Sequence, residues 1–348
     1  MARKRKTLPK DFGDLLKAGD LAALRAVFDR CELDARGGYG KGTALSFADC
    51  PDELARWLVG EGLEVDAVNL TAERTPLHDR ASYWPSIAVL IELGADVDAR
   101  DKSGTTVLHT AVTKPHHVAL LLAAGAEVDP VDGQGSTPLR SGLVRCSNIE
   151  IAAIAESVTL LLAAGAAVPE DVDALVTRIG TDFEFHRSNF NNDLVTATAA
   201  GLQRLYELFD VAPVPSRVTH DGRSRIEVTA TDVDGQYAEL WALLVPSSGP
   251  AGIVQGEVLR IAGKLAREIG GNGSVNWSDD FRAMTDALGA HLASGRAVTN
   301  LDELAPILRR IRTGHAEDPD LGSMQDAAVA WILANPDPTP LAAPSYRH

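Results

Sequence analysis

The chain has 348 residues, 45% apolar and 23% charged, with a formal net charge of −15, the balance of a globular protein large enough for two cores. No apolar run approaches the ~18 residues of a membrane span, and such acidity argues against nucleic acid as the main partner, since phosphate binding needs a basic face. It favours instead a basic protein partner, steered in by the field.

The N-terminus is locally basic, with Arg3-Lys4-Arg5-Lys6, and residues 1–8 are expected to be a disordered tail. Cys31, Cys50 and Cys146 have neither an even count nor metal-like spacing, so reduced core thiols in a cytoplasmic protein are expected. Residues 11–34 read as two short helices around Gly19-Asp20, a worn unit whose Asp11, Asp14, Lys17, Arg25 and Asp29 give it a polar outer face.

One unit is then written out repeatedly. Thr75-Pro76-Leu77-His78 leads to Gly94-Ala95-Asp96-Val97-Asp98, and Thr106-Val107-Leu108-His109 leads to Gly125-Ala126-Glu127-Val128-Asp129. Fainter copies open at Thr43 and Thr137, so the threonines are 32, 31 and 31 residues apart. A period in the low thirties marks a solenoid. Thr75 can cap a helix whose first residue, Pro76, has its φ already set. Pro85 and Pro115 are expected to start the second helix of their units, and Gly94 and Gly125 to end it in the left-handed conformation. No unit can enclose its own apolar face, so the copies must stack.

Motif, period and glycine together resemble the ankyrin repeat over residues 9–168, as a worn cap and about four repeats at 35–66, 67–98, 99–129 and 130–168. The Gly-His usual between the two helices is replaced by Cys50-Pro51, Trp84-Pro85 and Lys114-Pro115, and Arg140 stands where the histidine would be in the last copy. The resemblance implies that His78 and His109 tie neighbouring turns by hydrogen bonds. It also implies that hairpin tips and first helices form a concave surface gripping another protein. By repeat position that surface holds Tyr39, Lys41, Arg74, Asp79, Lys102, Thr110, Gln134 and Ser141, with Tyr83 and Trp84 just beyond as aromatic anchors.

From Pro169 the period disappears, and residues 169–335 read as a separate, mostly helical domain. Helices are expected at 171–179, 194–209, 235–245, 252–270, 278–294, 300–313 and 323–334, Asn300 and Glu303 forming a capping box. Alternation over 225–230 suggests a short strand, and four prolines suggest a disordered tail over 336–348. Glu257, Arg260, Glu268, Asn272, Asn276, Trp277 and Asp280 form the densest polar group. If they converged on one concave pocket they would support an enzyme; the plainer reading is helix-surface ion pairs and a helix start at Ser278. His186, His220, His291 and His315 have no metal-ligand spacing. His220-Asp221 beside His186-Arg187 could act as an acid–base pair only if the fold joined them.

The whole reads as a mainly α protein, an ankyrin-repeat solenoid followed by a helical domain. It is expected to bind another protein, with no catalysis, cofactor or metal of its own. Arginine outnumbers lysine 25 to 8, which hints at a bacterial source, and an immunity protein, antitoxin or regulator is the narrower expectation. The alternative is an enzyme whose helical domain holds the site while the repeats recruit substrate.

Overall fold

The computed structural model describes residues 3–83, 87–296 and 301–347. The expectations for Trp84, Pro85 and Asn300 lie outside the described residues. The chain divides into two compact units, residues 1–183 with 191–214, and residues 184–190 with 215–348. The division falls later than the Pro169 boundary that the fading period suggests.

The first unit opens with β1 (Arg5–Thr7), paired in parallel with β2 (Cys31–Arg36). The basic segment expected to be a disordered tail is therefore a strand: its backbone finds a partner in the chain leaving the second helix, and the buried Leu8 pins it. Between the strands, α1 (Phe12–Ala18) and α2 (Leu21–Arg30) turn at Gly19, whose φ is +70°. The Asp20 carboxylate accepts from the N–H groups of Ala22 and Ala23 at 3.0 and 3.1 Å, satisfying two of the donors that a helix start leaves open.

Four helical pairs follow. They are a 3₁₀ turn (Ala44–Ser46) with α3 (Asp52–Gly60), α4 (Pro76–Ala81) with α5 (Ala88–Glu92), α6 (Val107–Ala111) with α7 (Pro115–Ala123), and α8 (Pro138–Arg145) with α9 (Ile151–Ala163). Thr75 and Thr137 cap α4 and α8, accepting from the His78 and Arg140 N–H groups at 3.4 Å. Each second helix ends two residues before a left-handed glycine, Gly62, Gly94, Gly125 and Gly165 having φ of +86° to +103°. α4 packs on the 3₁₀ turn and on α6, and α6 packs on α8; α3 packs on α5, and α7 on α9. Leu45, Leu54, Leu58, Leu77, Leu90, Leu121, Leu143 and Leu161 are wholly enclosed between the layers.

The stack does not stop at Pro169. α10 (Val172–His186) and α11 (Asn192–Phe209) form one more helical pair without the repeat's sequence motif. Arg140 grips Asp171 with two hydrogen bonds of 3.1 and 2.7 Å, and Arg178 donates to the Leu143 and Val144 carbonyls at 2.8 and 3.1 Å. α11 lies so close to α9 that a Cβ on Gly201 would come within 2.6 Å of the Ala152 Cα.

The second unit is built around α13 (Val254–Ala266), which is buried along almost its whole length. It packs against α12 (Val233–Leu244), α14 (Asp279–Leu292) and α16 (Asp318–Ala334), with α15 (Leu301–Arg312) against α14 and α16. A π-helical turn, Arg267–Gly271, extends α13. α16 starts five residues before the predicted 323 because Glu317 and Asp320 cap it reciprocally and Pro319 suits its first turn.

Two expectations fail here. Residues 225–230 form no strand: the N–H groups of Thr229 and Ala230 turn to the Glu239 carboxylate at 2.9–3.0 Å, and Ile226 makes a single backbone bond to the Pro336 carbonyl. The segment after α16 is held rather than disordered. Val254 donates to the Thr339 carbonyl at 2.8 Å, Leu341 donates to Gly252 at 3.1 Å, and the Gln255 amide bonds Asn335, Asp337 and Thr339. Prolines remove donors from this segment, but its remaining N–H and C=O groups suffice to dock it in extended form.

Candidate interaction surface

Between one helical pair and the next the chain makes a hairpin whose tip is fixed by a single side chain. The Asn69 Oδ1 accepts from the Ala72 and Arg74 N–H groups at 3.0 and 3.4 Å. Asp101 does the same for Ser103 and Thr105 at 2.8 and 3.1 Å, and Asp132 for Gln134 and Ser136, both at 2.9 Å. These are Asx-type turns, the side chain standing in for a backbone acceptor. Neighbouring tips are joined directly, since Lys102 N–H donates to the Ala72 carbonyl at 2.9 Å and Gly133 N–H to Ser103 at 2.8 Å. Gly133 is required there: a Cβ would sit 2.7 Å from the Ser103 oxygen.

Below the tips, histidines bind layer to layer as the resemblance implies. His78 Nδ1 accepts from the Thr75 backbone N–H at 3.4 Å and lies 2.9 Å from its hydroxyl, so Nε2 carries the proton and donates to the Thr105 carbonyl at 3.0 Å. His109 repeats this with Thr106 and the Ser136 carbonyl at 2.9 Å. Burial pushes both imidazoles down in pKa, so both are held neutral. In the next layer Arg140, through Asp171, makes the tie that histidine makes elsewhere.

Of the residues assigned to the docking surface, Tyr39, Lys41, Tyr83, Lys102 and Gln134 present their side chains to solvent. Arg74 is half-buried and reaches Asp101 at 3.3 Å. Asp79 accepts from the Asn69 amide at 3.1 Å through both oxygens, and burial raises its pKa despite those bonds. Thr110 is half-buried, its hydroxyl 3.5 Å from the Thr106 carbonyl, and Ser141 is enclosed. A hollow of about 240 Å³ opens between α4, α6 and α8, lined by Arg74, Ser82, Thr110, Thr113, Arg145 and Glu150 among others. Ser82, Thr113 and Arg145 escaped the sequence assignment. They recur at the ends of successive first helices, 31 and 32 residues apart, so carrying the period past each first helix finds them.

In the second unit the polar residues gather around two carboxylates, Glu257 and Glu268. Arg260 clasps Glu257 with bonds of 2.8 and 2.6 Å, and the same carboxylate accepts from the Ala251 N–H at 2.9 Å and the Tyr346 hydroxyl at 2.8 Å. Glu257 is 0% exposed and Arg260 2%. Burial opposes the Glu257 charge, yet Arg260 and the other donors hold its pKa below the usual range; burial and the Glu257 bond push the Tyr346 phenol up. Glu268, in the π-helical turn, accepts from the Asn272 amide at 3.0 and 3.1 Å and from the Asn276 N–H at 2.7 Å. Trp277 stacks on Phe281 with centroids 5.1 Å apart, and Asp280 accepts from the Arg347 N–H at 3.4 Å. A cavity of about 370 Å³ in this unit is lined by Arg225, His291, Ser294, Arg296, Trp331 and Asn335 among others, and none of the seven lines it. The Asp221 carboxylate is occupied by the Ser224 hydroxyl at 2.6 Å and the Arg223 and Ser224 N–H groups, both at 2.8 Å.

The three cysteines are free and buried, and burial pushes the Cys50 and Cys146 thiols up to about 12. No helix among the described residues is long and apolar enough to cross a membrane. A search of curated proteins finds no match. A family model described as "Ankyrin repeats (3 copies)" matches residues 43–132, the span over which the threonine caps, histidine ties and left-handed glycines recur. Residues 43–132 of this chain are ankyrin repeats.

Proposed function

We propose that the protein acts by binding another protein across the hairpin tips and first helices of its repeat stack. The observation that carries this reading is the contrast at the tips. Their backbone is locked by Asn69, Asp101, Asp132 and the tip-to-tip bonds, while the side chains of Tyr39, Lys41, Tyr83, Lys102 and Gln134 remain exposed. A surface ordered before the partner arrives loses little conformational entropy on docking, and exposed tyrosines beside it are typical interface anchors. Ankyrin repeats as a family support the same reading.

Within it, the protein is a cytoplasmic bacterial regulator or immunity protein that works by occlusion and has no catalysis of its own. The second unit supports the non-catalytic part, because the acids and bases that could have formed a site are spent on internal hydrogen bonds. The test is partner capture by the full-length protein from source cells, compared with a Tyr39→Ser/Tyr83→Ser double variant. Loss of the captured protein with unchanged melting supports the reading; capture that survives both changes contradicts it.

A further inference from the structure

Charge is not spread evenly over the repeats. The tip and first-helix segments, residues 36–49, 68–83, 100–114 and 131–146, hold nine Lys or Arg against five Asp or Glu. The second-helix and turn segments, residues 50–67, 84–99, 115–130 and 147–171, hold one against fourteen. Three of the five anions on the first side are turned to internal use. Asp79 accepts from Asn69, while Asp101 and Asp132 accept from tip N–H groups. Lys41, Lys102 and Arg145 are exposed beside them. Within the repeats the negative charge therefore lies in the second-helix and turn segments, and the side that would meet a partner is locally cationic.

We infer that the hollow between α4, α6 and α8 receives a carboxylate from an acidic segment of the partner. This rests on the repeat-stack reading above and narrows it, replacing the basic partner that total charge suggests. Arg145 stands at the rim, held by the Ser141 and His109 carbonyls, both at 3.3 Å, which fix its direction without neutralising it. Arg74 lines the same hollow, its Nε paired with Asp101 at 3.3 Å, as do the hydroxyl-bearing Ser82, Thr110 and Thr113. Two planar guanidinium groups and three hydroxyls lining one hollow match a carboxylate, which accepts two parallel N–H bonds from one arginine. Glu150, the one carboxylate in the lining, accepts from the Ser147 N–H and hydroxyl at 3.2 and 2.5 Å.

At physiological salt the Debye length is ~8 Å, so a docked side chain responds to this local charge and not to the distant acids. Those acids help in another way, repelling an acidic segment from the opposite side and so orienting it. The size of the hollow suits one side chain, and Glu73, Asp79 and Glu150 interrupt the cations. A continuous phosphate backbone would fit this pattern less well than a peptide.

The test is selection of peptides from a random library against the full-length protein, followed by anisotropy titrations of the selected sequences. Asp- or Glu-rich peptides are expected, binding about tenfold or more weakly to Arg74→Gln and Arg145→Gln, less weakly to Arg145→Lys, and unchanged to Arg56→Gln. Melting by circular dichroism separates unfolding from lost contact. Lys- or Arg-rich selections, no enrichment, or tighter binding of a DNA duplex in the same assay would overturn the inference. So would acidic peptides indifferent to Arg74→Gln and Arg145→Gln. If those peptides are weakened by Tyr83→Ser or Lys102→Ala, the repeat-stack reading survives alone; if they ignore these too, both fail.

Discussion

His78 and His109 show how a single residue serves several levels at once. Each accepts a bond that starts its own helix and donates one that holds the next layer, and each is neutral because burial penalises the charged ring. In the unfolded chain the same imidazoles have pKa values near 6.5. As pH falls through that value the unfolded state takes up protons that the folded state refuses, so stability is complete above about pH 7 and declines below about 6.5. Urea midpoints measured between pH 7.5 and 5.5 should fall with pH, and a His78→Gln/His109→Gln variant should show a shallower decline from a lower starting point. A midpoint independent of pH would contradict the assigned protonation.

Glu257 is instead kept charged, at zero exposure, because four donors converge on it. Glu257→Gln removes the buried carboxylate that Arg260 clasps, a change that costs on the order of 3–5 kcal/mol. Tyr346→Phe removes one hydrogen bond to a charged group, about 1.5–3 kcal/mol. Equilibrium denaturation of the full chain would check both, with Glu257→Gln the more damaging.

Among the elements, the hairpin tips turn through a left-handed residue at positions 41, 73, 104 and 135. Gly104 and Gly135 fill the last two with φ of +74° and +75°, but Lys41 and Glu73 occupy the first two at +54° and +55°. A side chain in that conformation costs roughly 1–2 kcal/mol. Gly104→Ala should therefore destabilise by about that amount, the more so because its Cβ would stand 3.1 Å from the Gly133 nitrogen. Glu73→Gly should leave the melting temperature equal or higher, since relief of strain offsets the extra freedom of the unfolded chain. A large drop on Glu73→Gly would contradict the strain.

The repeats between Thr43 and Asp132 were legible because their motif is a set of local physical devices: a cap, a proline, a layer-tying histidine and a left-handed glycine. The closing pair, α10 and α11, was legible as two helices but not as part of the stack. A final layer has no successor to tie, and Arg140 with Asp171 replaces the histidine bond, which spans 27 residues, by different chemistry across 31. The segments around 225–230 and after α16 were misread for a common reason. Alternation and proline content describe a chain's own tendencies, whereas these backbones are settled by Glu239, Gln255 and the edge of α13, all distant in sequence. The polar group of the second unit was found as residues, yet the bonds around Glu257 depend on where the chain's last residues dock, since Tyr346 completes them.

For the molecule as a whole, the central claim is that one side of the repeat stack is the working surface, rigid in backbone and exposed in side chain. The most direct measurement replaces Tyr39, Tyr83 or Gln134, one at a time, by a photo-crosslinking amino acid, with Glu61 and Glu156 on second helices and turns as controls, in source cells. The account predicts that the three tip and first-helix positions capture the same protein and that the two controls do not. Capture of that protein from Glu61 or Glu156, with none from the tips, would contradict it.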